Sequence, residues 1–149
     1  MKKFFIILAA SAFIIACGNG DKQAPVTGLT DEQKDQAAKD TANYTSINWT
    51  DSTFIDLGKV KKGQVVEVTF PFTNSGEKNL FITNVTAGCG CTIPEKPQEA
   101  FAPGKGGVIK ATFDSNNQAV GEHRKQVFAS ANTKPYREHQ LTFRVEVTN

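Results

Sequence analysis

The chain has 149 residues, with 17 basic and 15 acidic side chains and a formal net charge of +2. Residues 1–16 carry Lys2 and Lys3 and no acid, so their removal leaves 17 − 2 = 15 basic residues against 15 acidic ones. A nearly neutral chain lacks the basic surface that nucleic-acid binding requires. The length is sufficient for one domain with a short extension.

Residues 1–16 have the layout of an export signal. Lys2 and Lys3 precede the apolar run Phe4–Ala16, which is too short to span a bilayer and is typical of a signal peptide. The run ends at Ala16-Cys17, which resembles the bacterial lipobox. We therefore predict cleavage after Ala16 and attachment of acyl chains, such as palmitate, to Cys17. The alternative is an ordinary secretory peptide that contains a cysteine.

The predicted lipid anchor determines the expected location. Each buried methylene group contributes about 0.8 kcal/mol of membrane binding, so the membrane is one predicted partner. Gly18 rather than Asp follows Cys17, which favours the outer membrane, with the domain facing either the periplasm or the cell surface. An envelope protein is a second predicted partner, and no nucleic acid is expected.

Residues 17–48 are polar and are predicted to form the lipidated N-terminus and a flexible tether. Thr30 and Gln33 fit a capping box, which predicts a short helix from Asp31 to about Lys39. The apolar residues of that helix are small, so it lacks a stripe for packing and should be marginal.

Two triplets in or near the tether resemble acceptors for O-glycans in some Gram-negative lineages. They are Asp-Thr-Ala at 40–42 and Asp-Ser-Thr at 51–53. Thr41 and Ser52 are therefore candidate glycosylation sites, although so loose a triplet also occurs by chance.

After Trp49 the chain alternates between apolar and polar residues with the period of two that marks half-buried strands. In the clearest strand, 64–73, the apolar face holds Val66, Val68, Phe70 and Phe72. Pro71 on its other face predicts an edge or a bulge. The other predicted strands cover 53–57 (ended by Gly58), 79–86 with an internal slip, 107–114, 122–131 and 137–148, and a proline-rich loop containing Pro94 follows the cysteines.

This pattern predicts an all-β fold, an immunoglobulin-like antiparallel β-sandwich of about seven strands over residues 49–149. Cys89 and Cys91 are too close in sequence to staple two sheets as the cysteines of antibody domains do. The chain's 11 phenylalanines, several of them on inward faces, can supply the core instead.

The motif Cys89-Gly90-Cys91 permits three interpretations. In an extended strand the two Cα atoms would lie about 6–7 Å apart, at the far limit for a disulfide, which Gly88 and Gly90 could close by bending the backbone. In the first interpretation the pair is structural, with the two cysteines either bonded or reduced. Alternatively it binds Cu(I) or Zn²⁺ as thiolates, or it exchanges reversibly with other thiols. The metal stays unknown because the spacing brings no further ligand close.

No other residues form a recognisable catalytic group. The sequence contains no H-E-x-x-H motif, no Ser-His-Asp order and no phosphate-binding glycine loop. His123 and His139 lie in polar strand ends and are predicted to be ordinary surface residues. We therefore expect no catalytic residues, no cofactor and no enzymatic activity.

Several stretches between Phe54 and Val147 carry a family resemblance. They are Phe70-x-Phe72-x-Asn74-x-Gly76, Leu80-x-Ile82-x-x-Val85, Cys89-Gly90-Cys91-Thr92 and Pro103-Gly104-x-x-Gly107-x-Ile109-x-x-x-Phe113-Asp114. Together they resemble the bacterial lipoproteins and periplasmic proteins of domain-of-unknown-function family 1573. The resemblance implies an immunoglobulin-like sandwich related to major-sperm-protein and cilia-associated domains, and it implies no known activity.

Two functional hypotheses follow. The first is a lipid-anchored binding or assembly module of the cell envelope, which binds a partner through its loops or by adding a strand to a sheet edge. The second is a thiol-redox or metal-handling protein that uses Cys89 and Cys91.

The predicted anchor can be tested by replacing Cys17 with Ser. The hydroxyl cannot accept the thioether-linked lipid, so the variant should leave the membrane fraction and partition into the aqueous phase of a detergent extraction. A variant that remains wholly in the detergent phase would contradict the lipobox prediction.

Overall fold

The computed structural model describes residues 29–149, so Cys17 and the predicted export signal lie outside the described residues. Within this range no helix is long and apolar enough to cross a membrane. The range contains one α-helix, α1 (Asp31–Lys39), and the strands β1 (Ile47–Trp49), β2 (Phe54–Lys61), β3 (Val65–Asn74), β4 (Leu80–Ala87), β5 (Thr92–Glu95), β6 (Ala100–Phe101), β7 (Gly106–Asp114), β8 (Gly121–Ala131) and β9 (Glu138–Thr148).

The strands form two sheets that face each other across the core. One has the order β1-β3-β7-β5 and the other the order β2-β9-β8-β4-β6. This is an immunoglobulin-like β-sandwich, so the predicted fold class is confirmed. One pair departs from the predicted antiparallel arrangement, because β2 runs parallel to β9. In chain order β2 is the first strand of this sheet and β9 is the last. No hairpin therefore joins them, and nothing imposes the antiparallel direction.

The core follows from the alternation in the sequence. Phe70, on the inward face of β3, is fully buried, as predicted. Phe72 on the same face meets Phe101 edge to face, with 4.9 Å between ring centroids. The largest fully buried side chains are those of Phe70, Phe72, Phe113, Phe143, Leu80, Ile82, Ile109, Leu141, Val68, Val127, Val145 and Val147.

Pro71 occupies an edge-like position within β3, as predicted. The amide of Thr50, just beyond the end of β1, donates to the Pro71 carbonyl at 3.0 Å. A strand residue directs its N–H and C=O to the same neighbouring strand, so the missing Pro71 donor faces the point where β1 has ended. The proline therefore costs the sheet no hydrogen bond inside a ladder.

The predicted end of the strand at Gly58 is wrong. β2 continues to Lys61 across a register shift between Asp56 and Lys59. Gly58 has a φ of +67°, which glycine adopts without steric cost, and its amide donates to Asp56 Oδ1 at 2.8 Å. The residue is thus a bulge inside the strand. The slip predicted in β4 is confirmed by a register shift between Ile82 and Asn84.

Helix α1 is present with the predicted bounds and capping box. The Gln33 amide donates to Thr30 Oγ1 at 3.3 Å, and the Thr30 amide donates to Gln33 Oε1 at 2.9 Å. The helix nevertheless packs on the sandwich, since Ala38 is fully buried and Lys34 is only 5% exposed. The aliphatic part of Lys34 supplies an apolar contact, which could not be recognised from the sequence because lysine counts as a polar residue.

Residues 31–48 are therefore not a free tether in this structure. Asp31 pairs with Lys96 at 2.8 Å, and the hydrogen bonds from Lys96 and Lys34 lower the pKa of Asp31. The Asn132 side chain donates to the Asn43 carbonyl at 2.6 Å. These contacts hold the segment before β1 against the loops that follow β5 and β8. The sequence did not show them because they join residues far apart in the chain.

Two further strand predictions are corrected. Trp49 is the last residue of β1 rather than a residue that precedes the first strand. Pro94 lies inside β5, where a loop was predicted, and pairs opposite Ala111 of β7. β5 is the outermost strand of its sheet, and a proline is tolerated on an edge strand when its missing donor faces away from the neighbour.

The burial of Phe70 can be tested against Phe54, which is 41% exposed. Phe70→Ala should lower the free energy of unfolding by about 3–5 kcal/mol, because it opens a cavity in the core. Phe54→Ala should lower it by less than about 1.5 kcal/mol, since that ring already faces water. Denaturant unfolding of both variants measures the difference, and equal losses would show that the inward face of β3 is misassigned.

Candidate functional site

The segment 88–91 carries the chain from one sheet to the other. β4 belongs to the five-stranded sheet and β5 to the four-stranded sheet. The Gly88 amide donates to the Gln126 carbonyl of β8 at 3.0 Å, and the Asp114 amide at the end of β7 donates to the Cys91 carbonyl at 3.0 Å. The two cysteines therefore lie at a corner where the sheets meet, directly after the strand that was predicted to precede them.

Cys89 and Cys91 form a disulfide across this corner, with their Cα atoms 5.4 Å apart. The Thr92 amide donates to the Cys89 carbonyl at 3.3 Å, and this turn brings the Cα atoms closer than an extended strand would. The glycines act differently from the expectation, since neither Gly88 nor Gly90 has a positive φ. A Cβ at Gly90 would meet no atom within 4 Å, so this residue leaves the surface beside the disulfide open.

The two sulfurs differ in their surroundings. Cys91 packs against the hydrophobic core, whereas Cys89 lines two surface clefts. Thr92 is only 3% exposed, and its Oγ1 lies 3.7 Å from Cys89 Sγ and 3.9 Å from Cys91 Sγ. A buried hydroxyl thus contacts both sulfurs of the pair.

The larger cleft, here called the β8 cleft, has a volume of about 490 Å³. It lies on the outer face of β2, β9 and β8, where Phe54 is opposite Thr142 and Thr142 is opposite Gln126. This row of side chains leads across the strands to Gly88 and Cys89. Besides these two, its lining includes Thr53, Phe54, Arg124, Gln126, Gln140 and Thr142.

The second cleft, here called the turn cleft, has a volume of about 390 Å³ and shares Cys89 with the β8 cleft. It contains both cysteines, Asp114 and the amide side chains of Asn117 and Gln118. The disulfide therefore borders two surface clefts through Cys89, while Cys91 also packs against the core.

Lys125 lines both clefts. Its ammonium donates to Gln118 Oε1 at 2.9 Å and lies 5.8 Å from the centroid of the Phe113 ring. Burial lowers the pKa of Lys125, because desolvation penalises the charged form. The site thus holds one partly desolvated cation next to the disulfide.

A charged network borders the β8 cleft on the outer face of the same sheet. Arg144 contacts Asp56 at 2.9 Å and Glu122 at 2.8 Å. The Gly58 amide and Arg144 lower the pKa of Asp56, and the hydrogen bond from Arg144 lowers the pKa of Glu122. These carboxylates are therefore ionised and neutralised locally, which leaves no raised pKa of the kind a general acid requires.

The two histidines lie apart from the disulfide clefts, and only one has the predicted character. His123 is near the surface and contacts the Ala119 carbonyl at 2.7 Å. His139 is half-buried and contacts Thr133 Oγ1 at 2.7 Å, with its ring 5.8 Å from that of Trp49. Burial lowers the pKa of His139, so its prediction as an ordinary surface residue is corrected.

The remaining candidate residues stay predictions. Thr41 and Ser52 are both exposed, which is compatible with glycosylation of either, and Ser52 Oγ accepts from the Phe54 amide at 2.9 Å. Among residues 29–149, no three His, Cys, Asp or Glu side chains lie close enough together to hold a metal ion. In the disulfide form the sulfurs of Cys89 and Cys91 are not available as the thiolates that metal binding requires.

Sequence reasoning found the cysteines but missed Thr92 and Lys125. Thr92 directly follows the motif, yet nothing in its position indicates that its hydroxyl is buried against both sulfurs. Lys125 lies on the same inward face of β8 as Val127 and Ala129. A lysine at an inward position could have been recognised from the alternation as a partly buried cation.

The fold and the disulfide corner define this protein as an immunoglobulin-like β-sandwich module. The family model described as "Protein of unknown function (DUF1573)" matches residues 47–147. The chain therefore belongs to that family, and the resemblance drawn from the sequence motifs is confirmed. No curated protein matches the sequence.

Three solved structures show similar folds. A protein of unknown function from Porphyromonas gingivalis W83 is 14% identical, with a TM-score of 0.63 over 72% of this chain and 49% of that one. The secreted serine protease VesC from Vibrio cholerae is 13% identical, with a TM-score of 0.50 over 73% of this chain and 24% of that one. The PapD-like domain 7 of human CEP192 is 11% identical, with a TM-score of 0.49 over 74% of this chain and 87% of that one.

The chain spans about half the length of the Porphyromonas protein and about a quarter of VesC. At such low identities the likenesses to the Porphyromonas protein and to VesC show the fold alone. They assign no activity to residues of this chain.

The contribution of the disulfide to stability should be small. Closing a loop of three residues is worth only about 1.6 kcal/mol of unfolded-state entropy at 25 °C, and the corner already has backbone hydrogen bonds to both sheets. Replacing Cys89 and Cys91 together by Ser should therefore lower the free energy of unfolding by no more than about 2 kcal/mol, measured by urea denaturation. A double variant that fails to fold would show that the bond is a structural staple.

Proposed function

We propose that this protein is a lipid-anchored, non-enzymatic binding module of the cell envelope, and that its β8 cleft binds an extended segment of a partner polypeptide. The observation that carries this proposal is the lining of the cleft. Side chains with amide and hydroxyl groups lie in rows beside the exposed Phe54 ring. Such groups can hydrogen-bond a peptide backbone, and an exposed aromatic ring can anchor an apolar side chain.

A partner is more easily bound on the outer face of the sheet than at its long edges, because amides along these edges already donate to nearby groups. Along the outermost strand β2, the amides of Phe54, Gly58 and Lys61 donate to the side chains of Ser52, Asp56 and Gln64. An added strand would have to displace these local hydrogen bonds. The expectation of binding by strand addition is thereby disfavoured at this edge.

The opposite sheet ends at β5, whose free edge is closed in another way. The Asp114 amide bonds to Cys91, so by alternation Thr92 and Pro94 direct their backbone groups to the free edge. The Thr92 amide already bonds to Cys89, and Pro94 has no donor. This edge thus offers an incoming strand no free amide at either position.

The charge of the β8 cleft favours a neutral or acidic segment. Arg124 and Lys125 contribute to its lining, and no Asp or Glu does so among the described residues. Arg124 also lies over the Phe54 ring at 5.5 Å from its centroid, which holds guanidinium and ring together as one surface. A cationic rim raises the rate at which oppositely charged segments are captured.

The location of the module remains part of the proposal. Cys17 would carry the lipid, and the predicted outer-membrane anchor would place the sandwich on the periplasmic or surface side. Residues 18–28 would then provide the spacer between the lipid and α1, which is shorter than the tether expected from the sequence.

Site-specific crosslinking tests the proposed cleft. A photoreactive residue at position 140, inside the β8 cleft, should give one discrete crosslinked species in intact cells. The same residue at position 108, where Val108 is 41% exposed on the outer face of β7 in the other sheet, is the control and should give none. Identical adducts from both positions, or no adduct from position 140, would contradict the proposal.

A further inference from the structure

The disulfide is exposed asymmetrically to an incoming nucleophile. Cys89 lines both clefts, whereas Cys91 lines only the turn cleft and packs against the core. A group held in the β8 cleft therefore lies beside Cys89 and not beside Cys91. Attack on Cys89 would expel Cys91 as the leaving sulfur, and the Thr92 hydroxyl lies 3.9 Å from that sulfur.

The surroundings of the disulfide can stabilise a negatively charged sulfur. The hydroxyl of Thr92 is buried, and among the described residues its hydrogen-bond partners are the two sulfurs. A disulfide sulfur is a weak acceptor, but a thiolate accepts a charge-assisted hydrogen bond from a hydroxyl. The environment thus stabilises the opened pair more than the closed one.

Lys125 adds a positive charge at the same place. It lines the turn cleft together with both cysteines, and an adjacent cation favours the thiolate form of a cysteine. Asp114 in the same cleft is exposed and has the opposite effect. Because Asp114 is more solvated than Lys125, its charge is screened more strongly.

We propose that Cys89–Cys91 is an exchangeable disulfide that oxidises a pair of cysteine thiols in the polypeptide bound at the β8 cleft. The proposal rests on the proposed binding function and names the chemistry of the partner. The exchange is stoichiometric, one per domain, and is reversible by any partner that carries a disulfide.

The exchange is balanced in two steps. A thiolate of the partner attacks Cys89 Sγ, the Sγ–Sγ bond breaks, and Cys91 leaves with the electron pair while the Thr92 hydroxyl donates to it. The second thiolate of the partner then attacks its own first sulfur in the mixed disulfide and expels Cys89. The partner loses two electrons and two protons, and Cys89 and Cys91 end as two thiols.

The first test measures which sulfur is reachable. Cys91→Ser leaves Cys89 as a free thiol, and Cys89→Ser leaves Cys91. With a small aromatic disulfide reagent on the full chain, the Cys89 thiol should react at least about tenfold faster, because nucleophilic exchange depends on access as well as on thiolate content. Equal rates, or a faster Cys91, would overturn the assigned order of attack.

The second test uses Thr92 with a matched pair of variants. Thr92→Val keeps the volume and removes the hydroxyl, whereas Thr92→Ser keeps the hydroxyl. Reduction of the folded full chain by dithiothreitol should be about tenfold slower in Thr92→Val, since a hydrogen bond to a charged group is lost, and within about twofold of wild type in Thr92→Ser. A Thr92→Val rate equal to wild type would remove the hydroxyl from the mechanism. A bond that dithiothreitol opens only after the chain unfolds would overturn the proposal.

These tests separate the inference from the proposed function. Dithiothreitol needs no binding cleft, so a failed exchange leaves the crosslinking result unaffected. Crosslinking from position 140 can be repeated in the Thr92→Val variant, because Thr92 does not line the β8 cleft. Binding should persist there while exchange slows.

Discussion

The arrangement of this fold depends on a crossing between sheets that is completed within residues 88–91. β4 ends in the five-stranded sheet at Ala87, and β5 begins in the four-stranded sheet at Thr92. Backbone hydrogen bonds from Gly88 to β8 and from the end of β7 to Cys91 fix both sides of the crossing. The disulfide closes a corner that these bonds already define, and we therefore expect that opening it costs little stability.

The same crossing produces the clefts beside it. A chain that turns from one sheet to the other leaves a depression on each side, and the side-chain-free positions Gly88 and Gly90 keep both open. Polar residues of β8 and β9 then extend one depression across the outer face of the sheet. The edges β2 and β5 are closed by local hydrogen bonds and a proline, and for this reason we propose the outer face of β8 and β9 as the partner-binding surface.

Much of the fold could be predicted from the sequence. The alternation in β3 and β9 identified the strands and their inward faces, since a period of two with a buried side is a local property. The parallel pairing of β2 with β9 could not be predicted in this way, because it depends on where the two ends of the chain meet. The docking of α1 was missed for a related reason, as its buried face is formed by Ala38 and the stem of Lys34 rather than by large apolar residues.

The candidate site was predicted only in part. The motif of two cysteines separated by one residue was recognisable as a candidate site. The extended strand assumed for it, however, placed the two Cα atoms at the largest separation that a disulfide spans. The turn held by Thr92 relieves that limit, and a backbone hydrogen bond of this kind has no signature in residue spacing. The roles of Thr92 and Lys125 follow from the register of β5 and β8, which is known only once both sheets are assembled.

We propose that the disulfide is a reactive group at a corner fixed by backbone hydrogen bonds, and that it is not needed to hold the sandwich together. Backbone amide chemical shifts of the folded protein, recorded before and after reduction, test it most directly. The shifts should change only at residues 86–93 and at the neighbouring strand ends that line the two clefts, and both sheets should otherwise stay unchanged. Changes spread through β3, β7 and β9, or a loss of shift dispersion, would contradict it.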